Sequence, residues 1–159
     1  MYGRMFKGAF SAVAITAAQD LFYLKASSTV PVLLHSVTLG QKTLTAWEAK
    51  ELKFVYLPAT VTAGSGGSSV TLRGSDPGGM AAAAASTCRA NDTTLATSSG
   101  TAYDQVDDDW VFTNGYVWLP ADPRDRIFIK PGDGLAIRLG SNPSASMTAS
   151  GTIEIEELG

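Results

Sequence analysis

Residues 126–139 read Arg-Ile-Phe-Ile-Lys-Pro-Gly-Asp-Gly-Leu-Ala-Ile-Arg-Leu, which places two apolar runs on either side of a turn-forming corner. Pro131 fixes φ for a turn and removes a backbone donor, while Gly132 and Gly134 tolerate the positive φ of tight connections. After the corner, apolar residues alternate with others at the period of two expected of a strand with one dry and one wet face; they are Leu135, Ile137 and Leu139. The stretch therefore predicts a β-hairpin that forms one wall of a core.

Outward from this hairpin, similar short segments recur, separated by Gly, Pro, Asn and Asp. Strands are predicted for Met5 to Ile15, Val32 to Leu39, Leu52 to Leu57 and Met147 to Leu158. The first of these follows Arg4 and also resembles a weak secretory signal, which stays a minor alternative. Eight to ten short strands at this spacing favour a sandwich or barrel over alternating strands and helices.

Three segments have less regular patterns. Thr43 to Glu51 has capping-box spacing and predicts at most one short helix. Ala81 to Ala85 favours helix by propensity, but the run is brief and has no large residue to anchor it, so we interpret it as extended. Trp110 to Leu119 contains Asn114-Gly115, which fits either a hairpin turn or a bulge within one long strand.

The predicted fold class is all-β: a two-sheet antiparallel β-sandwich of jelly-roll type, with residues 1–159 forming a single domain. The chain has 45% apolar and 17% charged residues, a balance that suits a subunit packed against neighbours. Its net charge is −3 and its cations are scattered singly, so no nucleic-acid partner is expected. The apolar N-terminal run is also shorter than the roughly 20 residues that cross a bilayer, so no membrane partner is expected.

Candidate catalytic and metal-binding residues are few. His35 is the single histidine and lies among leucine and valine, which favours a half-buried residue satisfied by backbone. Cys88 is the single cysteine and precedes Arg89; we interpret it as a buried structural thiol and not as a nucleophile. No catalytic, cofactor-binding or metal-binding residues are assigned, and no cofactor is expected.

Two further groups carry an alternative beside the structural interpretation. The acidic run Asp104, Asp107, Asp108 and Asp109 could bind calcium, but it lacks EF-hand spacing and a solvated loop explains it equally. Paired with residues 154–157, these carboxylates could also serve glycoside hydrolysis, a pattern that most β-proteins offer. The aromatic residues of the 110–118 segment could stack on a sugar, although period two favours the core; they are Trp110, Phe112, Tyr116 and Trp118.

Several motifs, taken in order, resemble a group of small proteins encoded in tailed-bacteriophage genomes. The likeness runs nearly end to end and is weakest around Ala81–Ala85 and Thr97–Val106. The motifs are Ala17-Ala18-Gln19-Asp20-Leu21-Phe22, Leu34-His35-Ser36-Val37, Gly64-Ser65-Gly66-Gly67, Asn91-Asp92-Thr93-Thr94, Pro123-Arg124-Asp125-Arg126-Ile127, Pro131-Gly132-Asp133 and Met147-Thr148-Ala149-Ser150-Gly151-Thr152-Ile153.

The resemblance implies a virion structural protein, a capsid decoration or head-stabilising subunit, and not an enzyme. It would be made in the host cytoplasm and located on the capsid surface, with the major capsid protein and copies of itself, as a homotrimer, for partners. The alternative function is a glycan- or receptor-binding module on a virion fibre or tail. A hydrolase that uses carboxylates on the same sandwich is the weakest hypothesis.

Overall fold

A computed structural model describes residues 3–43, 47–75 and 84–159 as strands joined by turns, with two short 3-10 turns at Phe112–Asn114 and Pro123–Asp125. The strands are β1 (Arg4–Ile15), β2 (Gln19–Lys25), β3 (Val32–Gln41), β4 (Ala49–Leu57), β5 (Val61–Thr62), β6 (Ser68–Val70), β7 (Arg73–Gly74), β8 (Thr87–Asp92), β9 (Thr97–Ser98), β10 (Tyr103–Val111), β11 (Tyr116–Trp118), β12 (Ile127–Ile129), β13 (Gly134–Leu139) and β14 (Met147–Glu157).

Two six-stranded antiparallel sheets form the sandwich. Sheet A has the order β11-β3-β14-β1-β7, with β12 also paired to β3, and sheet B has the order β10-β4-β13-β2-β8-β6. The pairs are nested along the chain, because β1 pairs with β14, β2 with β13, β3 with β12 and β4 with β10. This nesting is that of one long antiparallel hairpin rolled into two layers, so the predicted jelly-roll sandwich is confirmed.

The main core lies between the two sheets, which both contribute large buried side chains. Aromatic contacts join the layers: the rings of Phe10 on β1 and Phe22 on β2 are 5.1 Å apart, and those of Phe54 on β4 and Trp118 on β11 are 5.3 Å apart. Burial of such side chains contributes about 1.5–3 kcal/mol each. The predicted inward face of β13 is confirmed, since Leu135, Ile137 and Leu139 are all fully buried.

The hairpin predicted for residues 126–139 is wrong. β12 pairs with β3 in sheet A, whereas β13 pairs with β2 and β4 in sheet B, so the corner at Pro131 carries the chain from one layer to the other. Gly132 has the positive φ of 84° that the turn residues predicted, and Asp133 N donates to Lys130 O. Turn residues thus specify that the chain reverses, but the partner of each strand is chosen by long-range packing.

The segment around Asn114-Gly115 also crosses between sheets. β10 belongs to sheet B and β11 to sheet A, and the 3-10 turn with Gly115 at φ 71° joins them. Neither the hairpin nor the bulge predicted there is present.

The short helix predicted over Thr43 to Glu51 is wrong where it can be compared. Ala49 to Glu51 begin β4 as extended backbone, and residues 44–46 lie outside the described ranges. Of the Met80–Arg89 segment, 80–83 also lie outside, and Thr87 to Arg89 are extended in β8, as predicted.

The outer face of sheet B is covered by the chain itself. Residues 58–67 and 93–102 meet in the two-stranded β5-β9 sheet and lie over β4, β13 and β2. Beneath them is a second apolar cluster, which explains why Ala136 is buried although the alternation of β13 predicted a wet face there. The cluster consists of Tyr23, Val55, Leu57, Val61, Ala96 and Ala136.

Candidate functional site

The outer face of sheet A is exposed along a row of residues that crosses four of its strands. Residues that face away from the core are aligned in rows that run across β11, β3, β14 and β1. One row consists of directly paired residues, which are Val117, Thr38, Thr152 and Ala9. All four residues of this row are exposed. The side chains of this row are small or β-branched, and we call the outer surface of sheet A the A face.

An apolar row borders the A face along the β11–β12 edge. Val117 is 69% exposed, Leu119 is 70% exposed and Phe128 is 46% exposed. Val117 and Leu119 flank Trp118, which turns inward onto Phe54, so alternation directs both toward solvent. Single exposed apolar residues are ordinary, but three along one edge are typical of a contact surface.

Charged side chains on the A face are balanced by partners within the chain. Lys7 Nζ lies 3.5 Å from Glu154 Oε1, and His35 Nε2 lies 2.8 Å from Glu156 Oε2. The register between β14 and β3 shifts here, because Glu154 pairs with Ser36 and Ile155 pairs with Leu34. The strict alternation of β3 is therefore interrupted, so that Leu34 and Val37 face the core and His35 faces outward. His35 is half-buried, as predicted, but the partner found is a carboxylate and not the backbone, so that part of the prediction is wrong.

A cavity of about 480 Å³ interrupts the A face near the middle of β1. It lies where the β1–β14 register shifts between Phe10 and Val13 and where Ala12 adopts φ 55°. Ser150 Oγ accepts a hydrogen bond from Ala12 N at 2.9 Å and holds the bulge in place. A bulge bends a strand and redirects its side chains, and here the bulge lies beside the concave part of the A face.

On sheet B, two fully buried carboxylates fasten the covering segments. Asp20 accepts hydrogen bonds from Arg138 Nε at 2.6 Å and from Ala96 N at 2.7 Å. Asp92 accepts hydrogen bonds from Arg89 Nε at 2.8 Å and from Gly67 N at 2.9 Å. Because each carboxylate joins a strand of sheet B to a covering segment, these groups have a structural role in the fold.

The Gly64 to Gly67 stretch, whose composition is that of a flexible loop, is packed closely. A Cβ at Gly67 would lie 2.0 Å from Ala90 O, and one at Gly64 would lie 2.1 Å from Thr94 O. Gly66 has φ 97°, and Ser65 pairs with Thr94. Glycine is required here because the loop lies directly on neighbouring backbone.

The acidic run predicted as a loop is instead strand β10, the edge of sheet B. Asp104 and Asp107 lie 3.0 and 3.8 Å from Lys53 Nζ, and hydrogen bonds to Asp104 and Glu51, together with the charge of Asp107, raise the pKa of Lys53. Asp108 accepts a hydrogen bond from Tyr116 OH at 3.2 Å. Within the described ranges, no three Asp, Glu, His or Cys side chains converge as metal ligands would.

The other candidate residues are distributed through the fold. Cys88 is buried, as predicted, and desolvation raises the pKa of its thiol to about 12. Glu157 is fully buried, paired with Arg4 at 3.1 Å and with Ser86 N at 2.7 Å. The carboxylates of β10 and β14 thus belong to different sheets and have separate partners.

The aromatic residues of the 110–118 segment belong to the core, as the period of two indicated. Trp110 and Phe112 are fully buried, and their rings meet edge to face at 4.8 Å. Tyr116 is 7% exposed, and burial is the first cause of its raised pKa. These side chains therefore form no stacking platform on the surface.

The A face itself was not identified from sequence. Its residues come from strands that are distant in the chain. In addition, the alternation of inward and outward residues in β3 is interrupted at His35–Ser36, so the pattern of two does not show which residues of β3 face the core. Val117 and Leu119 carried the only signal, since a period-two segment with an inward tryptophan must expose the residues beside it.

Among the residues that the structure describes, no helix is long and apolar enough to cross a membrane. Comparisons with protein-family models, curated proteins and solved structures yield no match for this chain.

Proposed function

We propose that this chain is a structural subunit of a tailed-bacteriophage virion, which decorates or cements the capsid and performs no catalysis. It acts by burying the A face against copies of itself, as a homotrimer, and against the major capsid protein. The observation that carries the proposal is the exposed row Val117, Leu119 and Phe128 beside a sheet face whose Lys7, Glu154 and Glu156 side chains have partners within the chain. The phage assignment rests on the sequence resemblance.

The size of the A face supports an assembly role. Strands β1, β3 and β14 are 12, 10 and 11 residues long, and β11 and β12 add three residues each along one edge. At about 4.8 Å between strands and about 3.4 Å per residue, they cover roughly 650 Å². A stable protein interface buries about 800 Å² on each partner, which is of the same order.

Charge also favours contact through the A face over contact through sheet edges. Lys7 and Glu154 neutralise each other within one chain, and Glu156 is hydrogen-bonded to His35 of the same chain, which lessens repulsion between the faces of two copies. The free edge of β10 instead presents Asp107 and Asp109, and charged edge residues oppose edge-to-edge pairing. The sandwich is therefore suited to associate by a face and not to polymerise by an edge.

Sedimentation and particle composition test the proposal. The purified chain is expected to form trimers whose dissociation follows mass action, and the double variant Val117→Asp/Leu119→Asp is expected to be monomeric because it places charge within the contact. Leu95→Asp is the matched control, since Leu95 is 37% exposed and lies on a segment that covers sheet B. Virions should carry the chain in stoichiometric copy number on their heads.

Two results would overturn the proposal. One is a chain that stays monomeric and does not bind capsids at any accessible concentration. The other is a particle that carries only a few copies, which would favour a tail or fibre component.

A further inference from the structure

A groove crosses the outer face of sheet B beside the covering segments. Its floor consists of residues of β2 and β8 that face away from the core. Tyr23 of β2 is paired with Arg89 of β8, and Lys25 of β2 is paired with Thr87 of β8. Val61 lines the groove from the covering segment, and the cavity measures about 490 Å³. A second cavity of about 460 Å³ shares Lys25, Val61 and Thr87 with it, so the two form one continuous depression.

Among the described residues that line this groove, the charged side chains are those of Lys25 and Arg89, both cations, although the whole chain has a net charge of −3. Lys25 forms no ion pair with any residue in the described ranges. Arg89 binds the buried Asp92 through Nε and Nη2, at 2.8 and 2.7 Å, which leaves Nη1 available as a donor. Since Asp92 neutralises part of the guanidinium charge, Lys25 supplies the main positive charge of the groove.

Hydroxyls complete the lining. Ser69 and Thr87 are exposed beside the cations, and Ser28 and Thr60 line the adjoining cavity. No Asp or Glu is among the described residues that line either cavity. Donors and cations without a carboxylate are the chemistry that binds an oxyanion on a polar molecule.

We propose that this groove binds small polar molecules that carry an oxyanion: a carboxylate, a phosphate or a sulfate ester. Lys25 and Arg89 Nη1 contact the anionic group, and the hydroxyl-lined cavity holds the polar remainder. The site lies on the sheet opposite the A face, so it is independent of the assembly role proposed above.

Titration calorimetry with four matched sugars tests the site: glucuronate, glucose 6-phosphate, glucose 6-sulfate and uncharged glucose. At least one charged sugar is expected to bind saturably and more weakly as salt is raised, and glucose is expected not to bind. The charged sugar with the highest affinity identifies the preferred oxyanion.

Two variants locate the binding. Lys25→Gln is expected to weaken it about tenfold or more, because a charge-assisted hydrogen bond is lost. Arg124→Gln removes one charge at a 92% exposed position and should leave affinity unchanged.

Absence of saturable binding for all three charged sugars would overturn the proposal. Equal affinity in Lys25→Gln and Arg124→Gln would also overturn it, since the anion would then bind elsewhere.

Discussion

The two sheets of this sandwich have opposite outer surfaces. Sheet B is covered by its own chain, with a second apolar cluster and two buried carboxylates that fasten the covering segments. Sheet A has no described segment over it, its charges are paired side by side, and its apolar residues are at the edge. The same inner core thus supports one surface completed within the chain and one left open to other molecules.

This difference shows where the stability of the free subunit comes from. Side chains on the outside of sheet B are held by hydrogen bonds and packing, so changes there should destabilise the isolated chain. Changes on the A face should alter association and leave folding nearly intact.

The largest effect is expected for Asp20→Ala. The change leaves Arg138 Nε and Ala96 N without their acceptor, and breaking a buried pair by removing one partner costs about 3–5 kcal/mol. Because Arg138 is 20% exposed, we expect the lower end of this range in urea denaturation. Asp122→Ala, at an exposed pair with Arg124, should cost less than about 1 kcal/mol. Equal costs for the two variants would show that the covering segments are not fastened by Asp20.

A second prediction compares leucines on the two outer surfaces. Leu57 is 1% exposed within the cluster that covers sheet B, so Leu57→Ala should lower the free energy of unfolding by about 2–4 kcal/mol. Leu119→Ala, the same chemical change at 70% exposure, should alter it by less than about 0.5 kcal/mol in the monomer. Chemical denaturation at low protein concentration measures both. Similar values would contradict the distinction between a covered and an open surface.

Strand positions and inward residues could be predicted from sequence because they depend on local alternation. Leu135, Ile137 and Leu139 are buried as expected, and Ile153 and Ile155 face the core in the closing strand. Their burial can be predicted because period-two alternation shows which face of a strand is apolar, whichever strand it pairs with.

Strand partners could not be predicted by the same reasoning. A jelly roll pairs strands that are distant in sequence, so the Pro131 corner resembles a hairpin turn although it joins two layers. The acidic residues of β10 oppose strand propensity, but Val106 and Trp110 anchor the strand to the core. The A face and the groove on sheet B are products of this long-range pairing, which is why no local motif indicated either.

A third prediction uses the ionisation of Tyr23 to test how well sheet B is covered. Burial, with the nearby charges of Asp20 and Asp92, raises the pKa of Tyr23 to about 12, from about 10 in an unfolded chain. Between these values the unfolded state loses the proton and the folded state retains it. Stability is therefore full below pH 10 and falls as the pH rises toward 12, by about 1.4 kcal/mol per pH unit from this group. Tyr23→Phe should flatten this alkaline decline in denaturation midpoints, and an unchanged slope would show that water reaches the phenol.

Only a small effect on folding is expected at Phe128, in the apolar row that borders the A face. Phe128→Ser should change the free energy of unfolding of the monomer by less than about 1 kcal/mol, because the ring is 46% exposed. If the unmodified chain associates through this face, its melting temperature rises with protein concentration, since only the folded state forms the contact. The serine variant should lose that concentration dependence while it retains the melting temperature of the dilute protein. Calorimetry over a hundredfold range of concentration separates the two contributions. A variant with a lower melting temperature at every concentration would mean that Phe128 stabilises the subunit itself, and the A face would then be part of the fold and not a surface reserved for contact.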